Sequence, residues 1–124
     1  MSDHVTVIPV FDEAATIAGL VARAISHGSV IVVDDGSTDD TPERVSHFGD
    51  RIIYIRKKNT GRGDNRNQAL LKSSGKYIQF LDADDIIDPE KIAMQVPYLE
   101  ADETVACVYS DCSCNDSEGG DLEN

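Results

Sequence analysis

Two periods take turns along this chain. HVTVI at 4–8 is apolar and β-branched, and Pro9 is expected to end it. Ile17, Leu20, Val21, Ala24 and Ile25 then recur at helical spacing and make one apolar face. Asp12 is the expected N-cap of that helix, Glu13 suits its first turn and Gly28 is its stop. VIVV at 30–33 is a continuous β-branched run, the kind buried on both faces of a sheet. DDGSTDD at 34–40 is dense turn signal, and Thr41 with Pro42 reads as the N-cap and first residue of a short helix reaching about Phe48.

The second half continues the pattern. IIYI at 52–55 predicts a third strand, and RKKNTGRGD at 56–64 a polar loop. A helix is expected over 65–74, with Ala69 and Leu70 facing in and Gly75 as its stop. YIQFL at 77–81 predicts a fourth strand. Asp88 and Pro89 open a further helix, with Ile92 and Val96 on one face, which Pro97 should end or kink. TVACVY at 104–109 predicts a fifth strand, and 114–124 has no periodicity and reads as a loose tail. Such alternation predicts an α/β fold, a Rossmann-like and mainly parallel sheet with helices on both faces. Ligands bind these sheets beyond the carboxyl ends of the strands, where strand order reverses. PVFDE, DDGSTDD and LDADD each follow a predicted strand, so acids distant in sequence are expected on one rim.

Charge narrows what that rim can bind. The 124 residues carry 23 acids against 11 bases, a formal charge of −12, which argues against a nucleic-acid-binding surface. No apolar run is long enough to span a bilayer and no signal segment opens the chain, so a cytoplasmic protein is expected. Cys107, Cys112 and Cys114 lack a usual zinc spacing and are read as reduced thiols. His4, His27 and His47 have no metal-site spacing either, and none is given a catalytic role.

In LDADD, a strand running through Asp82 would point Asp82 and Asp84 to the same side. Two carboxylates there need a counter-charge. A hard divalent cation, Mg²⁺ or Mn²⁺, suits them, because it binds through one or two carboxylates and completes its shell with water and substrate phosphates. Asp85 falls at the edge of this group, and Asp88 reads as a helix cap. Of Asp34 and Asp35 only one is expected to face the crevice, while Asp39 and Asp40 cap the next helix. Arg56, Lys57, Lys58, Arg62 and Arg66 form the only dense basic patch, suited to a diphosphate or a polar base, with Lys57 and Lys58 read as solvated. Neither a G-x-G-x-x-G nor a G-x-x-x-x-G-K-[ST] phosphate loop is present.

IPVFDEAATI, VIVVDDGSTDDT, NTGRGDNRNQAL and GKYIQFLDADDIIDPEKI, in that order and spacing, resemble the amino-terminal half of a family 2 glycosyltransferase of the GT-A fold, over roughly residues 4–110. The resemblance implies inverting transfer of a sugar from a nucleoside-diphosphate donor, often UDP-linked, to an acceptor hydroxyl on a glycan, lipid carrier or protein. It implies that Pro9 and Phe11, with Glu13 in the same motif, line the base and ribose pocket. Asp35 matches the acid that hydrogen-bonds the uracil ring, and Arg66 an arginine near the base and phosphates. Asp82, Ala83 and Asp84 match the D-x-D motif, with Asp82 toward ribose and sugar and Asp84 on the metal.

No residue matches the family's catalytic base, and a complete GT-A domain is much longer. Residues 1–110 are therefore expected to be the donor-binding half, 111–124 an acidic tail or truncated continuation, and self-association through an uncovered face a risk. The rival architectures fit less well. A receiver-type Mg²⁺-binding signalling domain needs acids after its first strand and a phospho-acceptor after its third, where this chain has Pro9 and Arg56. A phosphatase with an Asp nucleophile would carry D-x-D after its first strand. A non-catalytic nucleotide-binding module remains as the alternative.

Overall fold

The computed structural model describes residues 4–116. It divides into two compact units, Met1–Asp88 and Pro89–Asn124. The first holds a four-stranded, wholly parallel sheet: β1 (His4–Val10), β2 (Ser29–Asp34), β3 (Ile53–Arg56) and β4 (Tyr77–Phe80), in the order β3-β2-β1-β4. The chain steps outward from β1 to β3, then returns to the other side of β1, so strand order reverses between β1 and β4.

Alternation along β1 and β2 separates two cores. Ile8, Val10, Val30 and Val32 pack with Ile17, Leu20, Val21 and Ala24 of α1 (Ile17–Ile25) and with Val45 of α2 (Thr41–Ser46). Val5, Val7, Ile31 and Val33 pack with Ala69 of α3 (Arg62–Lys72). Helices thus cover both faces, as the β-branched runs require.

Pro9 does not end β1. Val7 O accepts from Leu81 N on the β4 side and Val10 O accepts from Asp35 N on the β2 side, so Pro9 faces β4. The β4 ladder would next need an N–H from residue 9, and proline has none. That ladder stops at Val7 opposite Phe80, while the ladder to β2 runs on through Pro9 and Val33 to Val10 and Asp34. The proline therefore unzips β4 from β1 at the carboxyl edge and leaves β2 paired.

Three other expectations change. α3 begins at Arg62, and its buried face carries Asn65 and Ala69, four residues apart; Leu70 lies a further 100° round the helix and is 48% exposed. Residues 104–109 form no strand among the described residues: β-branched side chains favour a strand where neighbours pack beside them, and no described strand pairs with this segment. In the second unit, α4 (Lys91–Ala101) starts after Glu90, so Asp88 is not its cap. Pro97 stands inside α4 without ending it, since one lost backbone bond leaves the other turns intact. Ile92 and Val96 share its half-buried side. Of the tail read at 114–124, residues 117–124 lie outside the described residues. No helix among the described residues is long and apolar enough to cross a membrane.

Gly75, expected as a helix stop, follows α3 by three residues and has a tighter task. A Cβ there would meet Val5 N at 3.1 Å, His4 C at 3.2 Å and Tyr77 O at 3.2 Å, all backbone atoms of the β1–β4 pair. Gly75→Ala is expected to destabilise the fold by about 1–3 kcal/mol. A denaturant titration should show a lower midpoint at constant slope. An unchanged midpoint would mean the strands separate without strain.

Candidate functional site

Loops at the carboxyl ends of the strands build one polar rim. After β1, Asp12 takes a left-handed backbone, φ 50°. Its carboxylate accepts from Thr38 N at 2.7 Å and Asp39 N at 3.3 Å, and its own N–H donates to Ser37 Oγ at 2.9 Å. Glu13 N donates to Thr41 Oγ1 at 3.0 Å. Asp12 therefore joins two loops rather than capping α1, whose N-cap is Thr16. Pro9 is buried beneath this junction, Glu13 is half-buried, and Phe11 is 46% exposed.

DDGSTDD divides its labour. Asp34 is fully buried, with Oδ1 accepting from Ser37 N at 2.8 Å and Oδ2 from Tyr54 Oη at 2.6 Å. Burial first, then this bond and the nearby Asp34 charge, push the Tyr54 phenol well above its ordinary range. Asp35 turns the other way. Its Oδ1 accepts from Lys57 Nζ at 2.7 Å and Thr60 N at 2.9 Å, and its Oδ2 from Gly61 N at 3.3 Å. Gly36 lets these loops close up: it sits at φ 82°, and a Cβ would meet Asn59 N at 3.1 Å and Lys57 O at 3.2 Å. Asp39 Oδ1 accepts from Thr41 N at 2.8 Å, the capping bond that Asp40, though at the N-cap position of α2, does not make.

Lys57 is no solvated side chain. Its ammonium bridges Asp35 and Asp64, at 2.7 and 3.1 Å, with 15% of the side chain exposed, and it also hydrogen-bonds Thr60 Oγ1. The RKKNTG stretch is polar in composition, and only the fold shows that one of its lysines turns inward. Burial opposes charge on both partners. The Lys57 and backbone bonds outweigh it and hold Asp35 below its ordinary value of 3.8, while the two carboxylates hold Lys57 above its ordinary 10.5. Asp35's contribution to stability is thus complete above its ordinary pKa and lost as pH falls through the folded one; Lys57's is complete below its ordinary pKa and lost as pH rises through the folded one. Lys57→Met is expected to lower stability by about 1–2 kcal/mol across a plateau from about pH 5 to 9. The two proteins should converge on acidification below that plateau. A deficit that persists fully at acid pH would assign the loss to packing.

LDADD adopts a turn rather than extending β4. β4 ends at Phe80, and Asp85 N donates to Asp82 O at 3.0 Å. The turn, not strand alternation, brings the acids together, and it includes Asp85, expected at the edge. One oxygen each from Asp82, Asp84 and Asp85 lie within 4.8 Å of one another. Ala83 is buried against the α1 side of the sheet, and its carbonyl accepts from Thr16 Oγ1 at 3.1 Å, which pins the turn. Arg66, from the first turns of α3, reaches Asp82 Oδ1 at 3.1 Å. Both partners are about half exposed, so the pair positions more than it stabilises. Among the described residues no ion pair reaches Asp84 or Asp85. Partial burial, then the charges of Asp84 and Asp82, push the Asp85 carboxyl up. An all-oxygen cluster of this span, short of positive charge, fits a hard divalent cation after small side-chain rotations.

Sequence-distant residues Pro9, Asp35, Arg66, Asp82 and Asp84 thus all sit at the carboxyl edge of the sheet. Asn65 was missed; it is buried in the same first turns of α3, and its place inside a polar loop-to-helix run gave no sign of that. A cavity of about 340 Å³ opens at the opposite edge, beside His4, Ser29, Asp50, Arg51 and Lys72, and includes none of the rim residues. Cys107, Cys112 and Cys114 are exposed.

A parallel sheet reversing order at β1, with an acidic turn beyond β4, defines a Rossmann-like domain of GT-A type. The chain belongs to glycosyl transferase family 2, whose profile matches residues 5–121. It is 37% identical over 100 residues to an uncharacterized glycosyltransferase of Rickettsia bellii, covering 76% of this chain and 14% of that protein. It is 34% identical over 105 residues to chondroitin synthase of Escherichia coli, covering 82% and 15%. Among solved structures it resembles S. aureus TarS 1–349 in complex with UDP, at TM-score 0.71 and 25% identity over 82% of this chain and 32% of that one. It also resembles glucosyl-3-phosphoglycerate synthase of Mycobacterium tuberculosis in complex with Mn²⁺, UDP and glucosyl-3-phosphoglycerate, at TM-score 0.65 and 28% identity over 77% and 39%. The chain therefore spans well under half the length of each of these relatives.

Proposed function

We propose that residues 1–110 form the donor-binding half of a glycosyltransferase. The donor is a nucleoside-diphosphate sugar, UDP-linked by preference, and the sugar passes with inversion to a hydroxyl of a glycan, lipid carrier or protein. The observation that carries this reading is the turn at Asp82–Asp85, tied to Arg66 at the point where strand order reverses. The Mn²⁺ and UDP bound by the M. tuberculosis relative support the same ligand class.

The residues take distinct parts. Pro9, Phe11 and Glu13 offer an apolar floor and a carboxylate for base and ribose. Asp35 accepts an N–H of the base: its Oδ2 has a single long bond, leaving acceptor capacity free. Arg66 faces the phosphates while holding Asp82 toward ribose and sugar, and Ala83 anchors the turn between the two aspartates. Asp84, with Asp82 or Asp85 beside it, would hold Mg²⁺ or Mn²⁺. When bound, the cation supplies charge neutralisation to the departing diphosphate. The acceptor's general base is assigned to no residue of this chain.

If Asp84 and its neighbours hold a divalent cation, the positive charge it would supply favours a diphosphate over a monophosphate. With Mn²⁺, UDP is expected to bind at least about tenfold more tightly than UMP, a difference of about 1.4 kcal/mol. Removing the metal should erase most of that preference. Equal affinity for UMP and UDP with Mn²⁺ present would contradict the proposed site.

A further inference from the structure

Asn65 poses a question that the reading above does not answer. Its residue surface is 3% exposed, and its Oδ1 is buried with no hydrogen-bond partner among the described residues. Its backbone N–H is satisfied, donating to Gly61 O at 3.2 Å. Buried amides are ordinarily paired, so an orphaned one marks a place where a partner belongs.

Its location says which partner. Asn65 shares the inward face of α3 with Ala69, which packs on Val5, Val7, Ile31 and Val33. α3 follows β3 and precedes β4, two parallel strands, so it starts at their carboxyl edge and runs back across the sheet. Asn65 therefore lies one turn nearer the rim than Ala69, on the side of the sheet that Val5, Val7, Ile31 and Val33 face. The chain leading into it is the strap that grips Asp35: Thr60 N and Gly61 N both donate to that carboxylate. Arg66, the next residue, reaches out to Asp82. Along the chain, Asn65 stands between the strap that holds Asp35 and the arginine that holds Asp82.

We infer that Asn65 is a base-specificity residue, whose amide hydrogen-bonds the edge of the nucleobase that Asp35 also reads. The inference rests on the donor-site reading. A carboxylate only accepts, so Asp35 alone selects an N–H on the base. Asp35 takes the one N–H of a uracil edge, so Asn65 meets a neighbouring carbonyl: a half-turn of its amide puts the NH2 group where the orphaned oxygen stands, and from there it donates to that C=O. Cytosine replaces that ring N–H by an acceptor and one carbonyl by an amine. It therefore places an acceptor against Asp35 and alters the pattern that Asn65 meets.

Asn65→Leu tests this, because it keeps the volume and removes the orphaned polar atom; Asn65→Ala serves as the second variant. UDP and CDP affinities are measured with Mn²⁺ on the 124-residue chain, alongside the thermal midpoint without nucleotide. The expected result is an unchanged or raised midpoint for Asn65→Leu, UDP binding weakened about tenfold, and a reduced preference of UDP over CDP. Wild-type affinity and base preference in both variants would overturn the inference and leave the donor site standing, with a buried water as the amide's partner. Equal losses for UDP and CDP would also overturn it, making Asn65 a positioning residue without base selectivity. Absence of UDP binding by the wild-type chain would remove the donor-site reading and this inference together.

Discussion

Asp34→Ala is expected to lower folding stability by about 3 kcal/mol or more, although Asp34 touches no proposed ligand. The side chain is fully buried and satisfies two groups at once, Ser37 N and Tyr54 Oη. Truncation strands both donors in the interior and leaves a cavity between β2 and β3. Ser37 in turn accepts from Asp12 N through Oγ and from Arg56 Nη2 through its carbonyl, at 2.9 Å each, so the loss spreads to three strand ends. Asp34→Asn separates these effects. Its amide oxygen can still accept from Ser37 N, and the Tyr54 hydroxyl can rotate to accept from the amide nitrogen. It is expected to cost about 1 kcal/mol. Chemical denaturation of both variants checks the pair, and a loss below about 1 kcal/mol for Asp34→Ala would show that Asp34 is no keystone of the rim.

The second large effect is on binding rather than folding. Asp84→Asn is expected to weaken UDP binding in the presence of Mn²⁺ at least about 100-fold, since even outer-shell changes at metal sites reduce affinity 10–100-fold. Stability without ligand should stay within about 0.5 kcal/mol of wild type. Asp84 is exposed, makes no ion pair among the described residues, and sits in a cluster of like charges. A structural residue would move both quantities. One whose purpose is to hold a cation moves only the first.

Periodicity made the sheet legible because β1 and β2 are buried on both faces and α1 carries a clean apolar stripe. Four ordered motifs made the family legible. What escaped the sequence was decided by contacts between segments far apart in the chain. Pro9 reads as a breaker until the neighbour on its N–H side is known. Asp12 reads as a helix cap until the N–H groups of Thr38 and Asp39 are seen to lie nearer. Lys57 reads as solvated until Asp35 and Asp64 close on it. Asp82, Asp84 and Asp85 were visible as a crowded triplet, but strand alternation gave the wrong geometry, and only the turn closed by Asp85 N brings the third carboxylate in. Asn65 carried no signal at all, because a polar residue at a helix start is ordinary unless its burial is known.

The central claim is that the acidic turn and a nucleoside diphosphate share one divalent cation. Calorimetric titration of the wild-type chain with UDP, once with Mn²⁺ and once with the metal chelated, tests it most directly. One-site binding with Mn²⁺, weakened at least about tenfold on chelation, is the predicted result. The same affinity for UDP with and without the metal would contradict it.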